Sequence, residues 1–167
     1  NESNKDNKIK KLEQRYTLGG LNFNALIIAD FDESLKSVST SLIYTDVYPQ
    51  NKYFITLNQW FDESLINETD IQPMYYPSIN KNNFDNYKKK FFNEFNEHPS
   101  HLSLLGYDLV GLIYYLYFKN NFSYSKKFFN TKNSFKGKIG IFDIKNNKIN
   151  HRLNFYKMEN GKLIKIF

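Results

Sequence analysis

Two short apolar runs, 25–29 (Ala-Leu-Ile-Ile-Ala) and 53–57 (Tyr-Phe-Ile-Thr-Leu), end in residues that could hold a polar ligand. Asp30 follows the first run; Asn58, Gln59 and Trp60 follow the second. They supply a charge, two amides and the only tryptophan of the chain. If both runs are strands of an open α/β sheet, these residues stand at the carboxyl ends, where such sheets bind small molecules. A plainer reading stands beside that one. Trp60 and Phe61 pack under a loop, and Asp30 or Asp32 caps a helix over 33–47, with Glu33 near its positive end.

Asp30-Phe31-Asp32-Glu33-Ser34 directly after an apolar strand resembles the nucleophile motif of haloacid-dehalogenase-like phosphatases. The resemblance implies that Asp30 attacks phosphorus, Asp32 handles the leaving-group proton and Thr56 binds phosphate. It goes no further. No Gly-Asp-x-x-x-Asp pair follows to complete a magnesium site, and Ser34 stands where Thr or Val is usual. A magnesium-dependent phosphatase is thus the rival reading, and the chain is expected to be no enzyme and to need no cofactor. His98 and His101 are three apart, but zinc needs three or four ligands, and there is no cysteine. We expect corner or surface histidines and no metal site. Gly137 and Gly140 lead into a strand rather than a helix, so they mark a turn and not a phosphate loop.

The 167 residues suffice for a domain with a true core, and 41% hydrophobic with 18% aromatic content argues against disorder. The net charge of +6 invites a nucleic-acid partner. Its make-up argues otherwise. Arg15 and Arg152 are the only arginines, and the lysines are scattered among Asn, Ile and Tyr. A solvated lysine surface and no nucleic acid are expected. The apolar run 102–118 is too short and interrupted for a membrane span, which needs ~20 apolar residues.

The elements that must position these residues follow from hydrophobic period. Residues 1–7 read as a polar tail and 9–16 as a short helix. Run 25–29 reads as a strand buried on both faces, 53–57 as a second and 72–76 as a third. Strand, helix, strand at this spacing predicts a right-handed parallel crossover. Phe84, Tyr87, Phe91, Phe92 and Phe95 recur at helical spacing, Pro99 forces a corner, and 102–118 forms a helix apolar on nearly every face. A short helix is expected over 123–130. Strand 139–144 should then turn at Asn146-Asn147 to pair with 153–156, and 163–167 should close the chain after Asn160-Gly161.

The order of these features resembles the C-terminal half of type I periplasmic binding proteins, the superfamily of branched-chain amino-acid receptors and penicillin-binding-protein activator lipoproteins. The resemblance rests on the Phe-rich helix, Pro99, Tyr107-Asp108, the Phe135-x-Gly137-x-x-Gly140 turn and the late Asn160-Gly161 turn. It implies an α/β fold: a parallel βαβ sheet flanked by helices, with an antiparallel C-terminal strand addition. Residues 1–22 would form a tail and short helix. Residues 23–167 would form the C-terminal portion of the fold, contributing to two lobes.

The job implied is non-enzymatic, and two partners compete: a peptidoglycan synthase, which the protein would activate, or the permease of an ABC transporter, which it would serve as solute receptor. The amino-acid receptors place an acid near the position of Asn58, so the amide there argues against amino-acid binding. The stretch 149–156 resembles the activator branch, which is favoured. The compartment implied is the periplasm, as an outer-membrane lipoprotein. A missing N-terminal half, or a second copy, would be needed to cover helices 84–118.

Overall fold

The computed structural model describes residues 2–16, 22–123, 134–145 and 148–167. They fall into two compact units, 1–77 with 155–167 and 78–154. No helix among them is long and apolar enough to cross a membrane.

The first unit is built on a sheet of order β1-β2-β3-β7-β8. β1 (Ala25–Ile28), β2 (Tyr53–Thr56) and β3 (Met74–Ser78) run parallel, with Ala25 opposite Tyr53 and Phe54 opposite Met74. The expected crossover is therefore present. α2 (Asp32–Tyr44) joins β1 to β2 and buries Leu35 completely. Its end falls short of the expected residue 47 for a local reason. Asp46 turns left-handed (φ 63°), its N–H and that of Val47 reach back to Ile43 and Leu42, and the buried Val47 seals the stop. α3 (Glu63–Asn67), capped by Asp62, and a 3₁₀ turn (Thr69–Ile71) lead into β3.

β7 (Asn154–Glu159) and β8 (Lys162–Lys165) form the antiparallel addition, with Met158 opposite Leu163. Asn160 and Gly161 both take positive φ, as the favoured two-residue hairpin turn requires. The buried Gln72 ties this hairpin down: its Nε2 donates to Ile66 O, and its Oε1 accepts from Gly161 N.

Three expectations change here. α1 (Glu2–Tyr16) is helical from Glu2, so residues 2–7 are not an extended tail. β1 is not buried on both faces: Ile28 is 6% exposed but Ile27 is 73% exposed, because β1 ends the strand order and one face of its end of the sheet is open. Continuous apolarity signals what a strand could bury, not what covers it.

The second unit holds α4 (Lys81–Phe95), α5 (His101–Lys119) and a three-stranded sheet of order β4-β5-β6. Asn80 caps α4 and Ser100 caps α5, each accepting from the N–H three residues on. Left-handed Asn96 ends α4 ahead of the Pro99 corner. The helices meet through aromatic rings, Tyr87 edge-on to Tyr107 at 5.7 Å and Phe84 against His101 at 6.2 Å. α5 buries Leu104, Asp108, Leu112 and Leu116 on one stripe, and Leu112 and Leu116 form a core with Phe142.

The third correction is in this sheet. β5 (Ile141–Lys145) pairs with β6 (Lys148–Arg152), Phe142 opposite His151, and not with 153–156, of which 154–156 belong to β7. Leu153 separates the two strands. The turn expected at 146–147 and the helix expected over 123–130 lie outside the described residues, apart from Ser123, which is not helical.

Candidate functional site

Beyond the carboxyl ends of β1 and β2, Gln59 bonds to the main chain of Asp30, and Asn58 bonds to the main chain of Trp60. Thr56, the last residue of β2, is buried and donates its hydroxyl to Ile28 O at 2.9 Å. Gln59 is 4% exposed, and its Nε2 donates to Asp30 O at 2.9 Å, Thr56 Oγ1 at 3.0 Å and Leu57 O at 3.2 Å. A buried amide with its protons satisfied in this way is a brace. It ties the loop after β2 to the end of β1.

The loop itself is unusual. Asp62 N–H closes onto Gln59 O at 3.1 Å, with Trp60 at φ 50° and Phe61 at φ 62°. Two successive left-handed residues mark a turn that glycine, asparagine or aspartate ordinarily fills. Two bulky aromatics there store about 1–3 kcal/mol each, offset by their surroundings. Asn58 Oδ1 accepts from Trp60 N at 3.0 Å. Phe61 is buried, edge-on to Tyr156 at 5.3 Å and tilted against Tyr76 at 6.4 Å. Burial of Tyr76 pushes its phenol well above its ordinary value, with the neighbouring Tyr156 adding to the shift.

Trp60 and Asp30 are half-buried, and Asp30 Oδ1 accepts from Phe31 N at 2.9 Å. The cap expected for α2 is not formed by either aspartate. Phe31 occupies the cap position without a side-chain bond, and Asp32 is itself the first helical residue, at φ 49°. Asp32 and Glu33 both lie in the first turn, where the helix dipole favours negative charge.

For the phosphatase reading, Asp30 and Asp32 do sit at a strand end. Among the described residues, however, no group of three His, Asp or Glu side chains could hold a metal ion. His98 stacks on Phe92 at 5.1 Å and His101 lies against Phe84, so the two are occupied by separate rings.

Sequence reading passed over a two-bond carboxylate contact of the second unit. Asp108 accepts from Lys138 N and Ile139 N, both at 2.8 Å, and so anchors the glycine turn between β4 (Phe135–Lys136) and β5. The signal was present, in Tyr107-Asp108 and Gly137-x-x-Gly140, but nothing local says that they meet. Two concavities of about 610 and 570 Å³ flank α5, both bordered by Asp108 and Leu112; none of the four strand-end residues lines either.

No protein-family model matches the chain, and no curated protein matches it in sequence. Solved structures do resemble it in fold. An extracellular ligand binding receptor from Desulfohalobium retbaense superposes with a TM-score of 0.57 at 14% identity, over 84% of this chain and 26% of the receptor. The C-domain of LpoA (YraM) from Haemophilus influenzae, a regulator of PBP1A, gives 0.57 at 14% identity over 95% of this chain and 49% of that one. A monoclinic form of Haemophilus influenzae LpoA gives 0.55 at 11% identity, over 95% and 28%. The chain thus spans about half the LpoA C-domain and about a quarter of the receptor. A parallel βαβ sheet, a helix pair and antiparallel closing strands, in this order and with these neighbours, make an α/β fold like that of the matching parts of the receptor and of LpoA.

Proposed function

We propose that this chain is a non-enzymatic binding module that activates a peptidoglycan synthase. The observation that carries the reading is the inward use of polar groups at the strand ends. Gln59 Nε2 donates to Asp30 O just beyond β1 and Asn58 Oδ1 accepts from Trp60 N, where a solute receptor would turn its amides toward a ligand. The fold likeness, 0.57 in TM-score to the LpoA C-domain and to the receptor alike, is common to the receptor reading and to this one. In this reading the partner is a protein surface, the compartment is the periplasm, and the anchor is that of an outer-membrane lipoprotein.

The apolar faces of α5 belong to the proposal. Leu102, Val110 and Tyr114 are 75%, 67% and 68% exposed, too much apolar surface for a helix that works bare. Further polypeptide of the same protein covers them, or a second copy does.

A solute receptor for an ABC transporter is the second reading, favoured by the placement of Asp30, Asn58 and Trp60 at strand ends with Gln59 beneath them. One experiment separates the two. Glycan polymerisation by a purified peptidoglycan synthase is measured with and without this protein, wild type and Trp60→Ala. Stimulation that survives Trp60→Ala supports the activator. No stimulation, together with a small molecule that changes Trp60 fluorescence and binds Trp60→Ala more weakly, supports the receptor instead.

A further inference from the structure

We infer that Gln59 and Thr56 are positioning residues: they hold the turn 59–62 in a sprung form that presents the Trp60 indole, and they lock that turn to the end of β1. The inference goes beyond the activator reading, in which stimulation survives the loss of Trp60, and does not rest on it.

The turn would form most easily with glycine or asparagine at 60 and 61, since both positions need positive φ. Phe61 has its own reason for being aromatic: it fills the space between Tyr76 and Tyr156. Burial does not explain Trp60 in the same way, because its side chain is half-buried. Trp60 is thus an aromatic kept in a left-handed position while half-buried. Such backbone persists only when the surroundings over-determine it, and here the restraints are visible. Gln59 is fixed by its three acceptors, Trp60 N by Asn58 Oδ1, and Phe61 by two tyrosine rings.

The brace also has a direction. Gln59 Nε2 grips the main-chain oxygen of Asp30, and Thr56 Oγ1 grips that of Ile28. A displacement at the end of β1 is therefore passed to the turn carrying Trp60. Ligand or partner pressing on either side chain is registered by both strand ends.

Trp60 is the only tryptophan, so its fluorescence reports this turn alone. The full chain is compared with Gln59→Met, which keeps shape and removes the donors, and with the milder Thr56→Val. Leu35→Ala, a core change in α2, controls for lost stability. The expected result, well below the unfolding temperature, is a red-shifted emission and roughly twofold greater acrylamide quenching in Gln59→Met, from local opening of the turn. Thr56→Val should show a smaller shift in the same direction, and Leu35→Ala none. Emission and quenching equal to wild type in both brace variants would overturn the inference. So would an equal change in Leu35→Ala. Synthase and ligand binding are not read here, so failure of the functional reading leaves this result standing, and failure of the brace leaves that reading to its own test.

Discussion

Gly137 lies so close to Asp108 that a Cβ built on it would stand 2.2 Å from Asp108 Oδ2. Glycine is required there by close approach. The carboxylate occupies that space because it caps the turn, accepting from Lys138 N and Ile139 N at 2.8 Å each. Gly140, at φ 125°, supplies the backbone freedom that bends the chain into β5. Together they explain why a helix-borne Tyr-Asp and a Phe-x-Gly-x-x-Gly turn occur in one chain: the acid on α5 holds the turn.

Gly137→Ala should therefore destabilise the second unit by about 2–3 kcal/mol, the scale of hydrogen bonds to a charged group. Asp108→Asn keeps one acceptor oxygen but sets its NH2 against the other backbone N–H, and should cost a similar amount, about 1–3 kcal/mol. Chemical denaturation followed by circular dichroism measures both. A Gly137→Ala protein as stable as wild type would show that the carboxylate is not held where it is drawn.

His151 should make stability pH-dependent. Although His151 keeps an exposed side, partial desolvation where its ring stacks on Phe142 at 5.4 Å lowers its folded-state pKa, and the nearby Asp108 acts in the opposite direction. The fold thus favours neutral imidazole. As pH falls below the ordinary histidine value of about 6.5, the unfolded chain takes up the proton first. Stability from this group is complete above that value and is lost as pH falls through it. The melting-temperature difference between about pH 7.5 and about pH 5 should shrink in His151→Phe. An unchanged difference would remove His151 as the cause.

The strand-end aspartates should carry no phosphoryl transfer. With magnesium and p-nitrophenyl phosphate, the protein and Asp30→Asn should be equally inactive, because no third acidic group joins Asp30 and Asp32 among the described residues. Magnesium-dependent turnover lost in Asp30→Asn would overturn the non-enzymatic reading.

The exposed face of α5 should make the 167-residue chain self-associate. Val110→Lys with Tyr114→Lys replaces two of its most exposed apolar side chains and should shift the chain toward monomer in light scattering. Neither substitution touches the buried stripe of Leu104, Leu112 and Leu116, so the fold should be retained. Identical association in both proteins would place the sticky surface elsewhere.

What the sequence determined by itself was local. Apolar runs 25–29 and 53–57 with a helical period between them dictated the parallel crossover, because a chain of that spacing has essentially one way to close. Asn160-Gly161 specified its hairpin, and Pro99 specified the corner, because few residues tolerate those backbone angles. Strand ends are visible as the ends of apolar runs, which places Asp30, Asn58, Gln59 and Trp60 beyond β1 and β2.

Tertiary structure decided what each residue does there. Gln59 reads as a ligand amide until its three acceptors are seen, and all three lie in the protein itself. The sheet to which 154–159 belongs was equally hidden. Residues 148–152 and 154–159 are both short strands, and only the competition for a place beside β5 or in the larger sheet separates them. Asp108 and Gly137 are 29 positions apart, with no periodic pattern to link them. Propensity and period act over a few residues, while pairing partners, burial and hydrogen-bond direction depend on what the rest of the fold brings alongside.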